Sequence, residues 1–338
     1  MSRTRTTAAM AALVLLAALV AAGCGGSSSD SGGGEGGKQL SLVAYSTPKE
    51  AYAEVIPAFN QTPEGKDVGF DQSYGSSGEQ SRAIEGGLKA DIAALSLEPD
   101  VTKLVEAGLV AEDWNENEYD GFVTTSVVTF AVRKGNPKNL KTWDDLTKEG
   151  VDVITPNPFT SGGAKWNIMA AYGAQIEQGK SDKQAQQYLG DLLGNVSVQD
   201  KSAREALQTF SGGKGDVLIA YENEAIAAQQ AGEDIDYVIP DETILIENPA
   251  AVTEDSSDKE TAQAFIDFVR SEPAQKIFAE KGYRSILPEL VDKKTYPKPA
   301  KLFEIGKFGG WGPVNDKFFD PEKGIIGDIN RDLGQATG

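Results

Sequence analysis

LSLVAY (40–45) runs directly into STPKEAYAEVIPAFNQ (46–61), and the change of pattern between them decides the fold. The first stretch reads as a short apolar strand and the second opens a helix. The alternation recurs. VGFDQSY (68–74) reads as a strand, SSGEQSRAIEGG (76–87) opens a helix, and DIAALSL (91–97) is a third strand before the helical stretch Val101–Ala107. This β-α-β-α-β order specifies a mainly parallel sheet covered by helices. A second group follows, with strands in VVTFAVRK, VDVITPN, VSVQD and DVLIAY and helices from Ser161 and Ser202. A third set, DYVIP and TILIENPAAVTE, precedes one long helical run, DKETAQAFIDFVRSEPAQKIFAEKG. No repeat of solenoid period is present.

Two α/β groups with several crossings imply two lobes around a cleft, with hinges expected at Thr124–Val132 and Tyr237–Thr253. The expected division is 39–123 plus 241–300 for lobe 1 and 124–240 for lobe 2. Residues 301–338 are expected to pack across both. A cleft between lobes is where small-ligand sites usually lie.

The chain has 338 residues, 40% hydrophobic and 25% charged, which suits a folded body of more than one core. Residues 1–23 read as a signal peptide, with Arg3 and Arg5 ahead of the uncharged run Ala8–Val20. Ala21-Ala22-Gly23-Cys24 resembles a lipobox, although Leu is usual where Ala21 stands. Cys24, the only cysteine, is then the expected lipidation site. The Gly/Ser-rich stretch 24–38 reads as a flexible tether. The expected location is outside the cytoplasm, either periplasmic or held on the outer face of the cell membrane by the lipid alone.

Removing residues 1–23 deletes two arginines and nothing acidic, so the formal charge goes from −19 to −21. Such a surface repels phosphate backbones and argues against a nucleic-acid partner. An enzyme is disfavoured by the absence of histidine and of any H-E-x-x-H or G-x-S-x-G motif. Gly179-Lys180-Ser181 imitates the end of a P-loop, but Ala174 stands where its upstream glycine belongs. A calcium loop from Asp113 fails at Glu118, where glycine is needed, and at Thr124, where glutamate is needed. No cofactor or metal is expected. A cell-surface adhesion module is a remote alternative, and it would need an exposed apolar patch.

Four helix starts carry capping chemistry: Thr47-Pro48-Lys49-Glu50, Ser77-Gly78-Glu79-Gln80 (with Ser76 as alternative cap), Ser161-Gly162-Gly163-Ala164 and Ser202-Ala203-Arg204-Glu205. A helix N-terminus offers unpaired N–H groups and a partial positive charge, so it can hold an anion without a lysine. Gly162 and Gly163 remove side chains that would keep an anion from those amides. Any one such cap closes helices in proteins that bind nothing. Their recurrence at strand-to-helix turns in both groups points to a cleft for a small anion or polar ligand.

At these residues the body resembles the periplasmic sulfate- and thiosulfate-binding proteins of ABC importers, from about residue 40 to 330. The matching stretches are DQSYGSSGEQ (71–80), KADIAALSL (89–97), VRKGNPK (132–138), WDDL (143–146), VITPNPFTSGGAKWN (153–167), GDVLIAYENEA (215–225) and FGGW (308–311). The resemblance implies a two-lobed α/β solute-binding fold, type II periplasmic-binding-protein-like, with hinge strands and a central cleft. It implies a dehydrated sulfate held by neutral donors alone and delivered to a permease and its ATPase by a monomer. By position it assigns Ser77 as hydroxyl donor, Ser161, Gly162 and Gly163 as the glycine-rich helix start, and Ala203 as an amide donor. Ser46 stands where the family has an aspartate, and Tyr221 where it has a tryptophan. Both departures bear on which oxyanion binds, leaving thiosulfate, molybdate and phosphate as alternatives. Sulfate is fully ionised near neutral pH and only accepts hydrogen bonds. A donor-only pocket would leave phosphate's proton unpaired. Glu222 and Glu224 read as strand-end and helix-start residues outside the site.

Overall fold

The computed structural model describes residues 38–336, so the signal peptide, Cys24 and nearly all of the tether lie outside the described residues. The body opens with β1 (Gln39–Tyr45), α1 (Lys49–Phe59), β2 (Gly69–Gly75), α2 (Ser77–Glu85), β3 (Ile92–Ala94) and α3 (Glu98–Glu106). β4 (Phe122–Arg133), β5 (Val153–Pro156), α4 (Gly162–Glu177), α5 (Asp182–Gly194) and β6 (Val196–Asp200) follow. Next come α6 (Ala203–Ser211), β7 (Val217–Tyr221), α7 (Glu222–Gln230), β8 (Ile235–Val238) and β9 (Glu242–Val252). The chain closes with α8 (Lys259–Arg270), α9 (Glu272–Glu280), β10 (Lys301–Phe303), α10 (Trp311–Val314) and α11 (Ile325–Asp332).

The strands form one mixed sheet in the order β2-β1-β3-β9-β4-β7-β5-β6, with β10 on β9 and β8 on β4. β2, β1 and β3 are mutually parallel, as are β7, β5 and β6. Between these blocks lie β9 and β4, antiparallel to each other and to β3 and β7, while β10 runs parallel to β9. Both are long: β9 pairs with β3 at its C-terminal end and with β4 along its middle, and β4 pairs with β7 and β8 at its C-terminal end. β4 spans the stretch Thr124–Val132, and β9 lies within the stretch Tyr237–Thr253.

The core divides in the same way. Tyr52, Phe59, Phe265 and Phe278 gather α1, α8 and α9 over the β1 block. Phe130, Trp143, Trp166 and Leu189 gather α4 and α5 over the β5 block. Phe303, Trp311, Phe318 and Ile326 of the C-terminal segment join this second cluster. The central parallel strands are apolar on both faces, as sheets covered by helices require; all five residues of β7 are buried.

Three elements differ from the reading of the sequence. The long C-terminal helical run is two helices, α8 and α9, meeting at Ser271. Pro273 lacks an N–H and suits only a helix start, so the first helix ends before it. α5 was not read from the sequence, yet it is closed by a capping box in which Ser181 and Gln184 cap each other. α2 takes Ser76, the alternative, as its cap position.

Arg284 joins the two blocks from below. Its Nε and Nη2 donate to Glu222 at 2.6 and 3.1 Å, and Nη2 also reaches the Pro297 carbonyl. Its backbone pairs with Thr125 of β4. The Glu222 side chain is wholly buried, and burial pushes its carboxyl up while Arg284 opposes the rise. Arg284→Ala should therefore cost about 3–5 kcal/mol by leaving a buried carboxylate without its partner. Urea denaturation of the variant against wild type measures this.

Candidate functional site

Strand ends and helix starts from both blocks converge on one small cavity. Its lining is Tyr45, Ser46, Thr47, Ser76, Ser77 and Ser96 from the β1 block, with Ser161, Gly163, Ala203 and Tyr221 from the β5 block. The volume is about 10 Å³, on the scale of a single water-sized body. All ten side chains are neutral. Six of the seven residues expected at the site line the cavity directly. The seventh, Gly162, is not itself in the lining but sits between Ser161 and Gly163 at the start of α4.

The placement follows from local structure. β1 ends at Tyr45, β2 at Gly75 and β7 at Tyr221, and each is followed at once by a turn into a helix. α4 begins at Gly162 with Ser161 as its cap, and α6 begins at Ala203 with Ser202 as its cap. First-turn amides have no intrahelical acceptor. Among the described residues, the N–H groups of Gly162, Gly163 and Ala203 find no acceptor elsewhere. A Cβ on Gly162 would sit 2.6 Å from Leu97 Cδ2 and 2.9 Å from Ser96 Oγ, so the turn can approach Ser96 only without a side chain. A Cβ on Gly163 would meet Ser161 Oγ at 3.4 Å and Tyr221 OH at 3.6 Å, ordinary contacts within the cavity lining.

The hydroxyls are not equivalent. Ser77 was expected to supply a hydroxyl, but its Oγ donates to Asp100 Oδ2 at 2.6 Å and accepts from the Ser96 N–H at 2.9 Å. That proton is committed to a buried carboxylate, so what remains is the Ser77 backbone N–H at the start of α2. Ser161, at the N-cap of α4, makes no side-chain cap hydrogen bond. The Ser46 carbonyl accepts Nε and Nη2 of Arg204, both at 3.1 Å, and Arg204 also pairs with Glu50 at 2.5 Å. Tyr221 OH and Ser96 Oγ lie 2.8 Å apart. Burial raises the Tyr221 phenol well above its ordinary range and pushes Tyr45 up to about 12, so both keep their protons at physiological pH.

Ser96 is the residue the sequence reading missed. Its carbonyl accepts the Trp166 indole N–H at 2.9 Å and the Asn248 side-chain amide at 2.8 Å. Trp166 in turn packs edge-on against Trp311, with ring centroids 4.6 Å apart. The available signal was one serine inside the apolar run DIAALSL. Tyr45 and Thr47 were likewise read only as strand end and cap.

No carboxylate lines the cavity. Glu222 is held by Arg284, and Glu224 Oε2 accepts the Tyr221 N–H at 3.1 Å. Burial pushes Glu224 up to about 7. A second cavity of about 400 Å³ adjoins at Thr47 and is walled by α1, α6 and α7. Among the described residues no group of acidic side chains could hold a metal, and no helix is long and apolar enough to cross a membrane.

The family model for bacterial extracellular solute-binding proteins matches residues 40–284. The chain belongs to that family. It is 42% identical to the sulfate-binding protein of Synechococcus elongatus, with 83% of each chain covered. It is 39% identical to that of Escherichia coli K12, covering 83% of this chain and 90% of the other. Identity to the thiosulfate-binding protein of Pseudomonas aeruginosa is 34%, over 82% of this chain and 88% of that one. Among solved structures, the sulfate-binding protein SubI from Mycobacterium tuberculosis H37Rv superposes with a TM-score of 0.82 at 43% identity. That match covers 84% of this chain and all of that one. Membership of the solute-binding family agrees with a two-lobed α/β fold.

Two stability tests follow. Gly162→Ala should cost about 1–3 kcal/mol through the clash with Leu97 and Ser96. Gly190→Ala, mid-helix in α5 with nothing within 4 Å of the new methyl, should gain up to about 1 kcal/mol. Urea denaturation of the two variants reads both changes. For Glu224, the unfolded carboxyl loses its proton near 4.5 and the folded one near 7, so rising pH favours unfolding across that window. Glu224→Gln should therefore gain stability relative to wild type as pH rises from 4.5 to 7, by on the order of 3 kcal/mol. Denaturation curves at pH 4.5 and pH 8 measure the difference.

Proposed function

We propose that this solute-binding protein captures sulfate in the cavity between its lobes and delivers it to an ABC importer. The observation that carries the reading is a buried cavity lined only by neutral groups at the starts of helices from both blocks. A dianion there exchanges water for fixed N–H and O–H donors, and charge-assisted hydrogen bonds contribute about 1.5–3 kcal/mol each. The donors are the first-turn amides of Ser77, Gly162, Gly163 and Ala203, the Ser161 hydroxyl and the Tyr221 phenol, with Ser46 beside them. Helix N-termini supply positive potential without a counter-charge that the empty site would have to bury. The surrounding acidic surface is screened over about 8–10 Å of salt solution.

In this reading the lobes are 39–123 plus 241–300 and 124–240, with β4 and β9 as hinge strands. The protein acts as a monomer outside the cytoplasm, held to the membrane through lipid on Cys24, and catalyses nothing. The relatives named for sulfate and for thiosulfate support a tetrahedral oxyanion as the ligand.

Calorimetric titration of the chain with sulfate should give a dissociation constant in the micromolar range or tighter. Tight thiosulfate or molybdate binding without sulfate would replace the ligand and keep the transport role. No tetrahedral oxyanion binding at millimolar concentration would end the reading. Gly163→Ala, which fits the fold but puts a methyl into the cavity wall, should weaken sulfate binding at least about 100-fold, the scale of one to two lost charge-assisted contacts. Its denaturation midpoint without ligand should stay near that of wild type.

A further inference from the structure

We infer that Ser96 and Tyr221 act together as one amphoteric contact, so that the pocket takes a singly protonated tetrahedral oxyanion, such as hydrogen phosphate, alongside fully ionised sulfate. This rests on the oxyanion reading above and goes beyond the donor-only pocket that the sequence implied.

The geometry is specific. Both residues line the cavity, and their oxygens are 2.8 Å apart. Ser96 Oγ lies against the Gly162 turn and Tyr221 OH against Gly163, so both oxygens sit at the N-terminus of α4. Ser96 is fixed by two hydrogen bonds to its carbonyl and one from its N–H. Tyr221 is fixed by its position in fully buried β7 and by the Glu224 cap on its N–H.

An indole N–H can only donate. Two hydroxyls that share one hydrogen bond behave differently. One proton is used between them, one is left for the ligand, and the oxygen that gave its proton to the pair keeps free lone pairs. The inner bond can run in either direction, so the pair offers a donor and an acceptor side by side. A lone serine that turned its lone pair to a ligand would leave its own proton unbonded, a buried donor without a partner. The pair avoids that penalty because the second oxygen receives the proton. Sulfate uses the donated proton alone. Hydrogen phosphate uses the donated proton and places its own on the neighbouring lone pair. Glu222 and Glu224 do not compete for this role, since each is engaged elsewhere and neither lines the cavity.

The test is competition calorimetry on the full-length chain with sulfate and inorganic phosphate at pH 8. Wild type should bind phosphate within about 100-fold of sulfate. A site that leaves a polar group unpaired discriminates by about 10⁴-fold or more. Ser96→Ala/Tyr221→Trp should raise the sulfate-to-phosphate ratio at least about 100-fold, whichever way the absolute sulfate affinity moves. Ser96→Ala alone removes one atom and should raise the ratio about 10-fold, which keeps the test open if the double variant does not fold. Sulfate binding by wild type with phosphate rejected beyond 10⁴-fold overturns the inference and leaves the oxyanion reading standing. An unchanged ratio in a folded Ser96→Ala variant also overturns it. Failure of wild type to bind either anion removes the oxyanion reading and this inference with it.

Discussion

Amide groups at the first turn of a helix have no partner within the helix, and the architecture of this protein is arranged around that fact. α2, α4 and α6 each begin where a parallel strand has just ended, so their unpaired N–H groups all emerge at the same edge of the sheet. In one lobe alone these amides would face bulk water. Bringing the two strand blocks together turns them toward a shared space of about 10 Å³. Every side chain around that space is small or neutral. A cation would hold an anion more strongly, but it would itself be buried and unpaired whenever the site stood empty. Neutral donors avoid that penalty.

The same need for satisfied polar groups explains how the two blocks are tied. Ser96 receives the Trp166 indole from the opposite block on its carbonyl and meets Tyr221 through its hydroxyl. The Ser46 carbonyl is met by Arg204 from α6, and the Gly78 N–H by the Thr160 carbonyl. These contacts join the β1 block to the β5 block at the cavity rim. Arg284 and Glu222 join them again. Contacts at the rim are made by side chains and turns, whereas between the blocks the backbone itself is continuous in the paired strands β4 and β9.

How much of this was legible in the sequence depends on the range of each interaction. Caps are local, so Ser161, Gly162, Gly163, Ser202 and Ala203 announced their helix starts within four residues, and the structure begins α4 and α6 there. The strand-helix alternation was legible for the same reason. Ser77 was read as a free hydroxyl because its partner, Asp100, belongs to α3, 23 residues further on. Pro273 was in plain view, and the break between α8 and α9 follows from it. Ser96 was lost inside an apolar run because its partners, Trp166, Tyr221 and Asn248, are 70 to 152 residues away. The pairing of Glu222 with Arg284 spans 62 residues and leaves no periodic trace.

The two departures at the site, Ser46 and Tyr221, look alike in the sequence but differ in the structure. At Ser46 the chain uses its backbone carbonyl, tied to Arg204, and a carbonyl is available whatever the side chain. The loss of an acid there leaves that tie intact. At Tyr221 the side chain itself carries the contact, and a phenol brings lone pairs that an indole lacks. Those lone pairs need a donor when the ligand has no proton to give, and the Ser96 hydroxyl supplies one at 2.8 Å. The serine and the tyrosine are therefore one feature, not two. Without Ser96 the phenol would lose this hydroxyl partner; with it, the two buried hydroxyls satisfy each other.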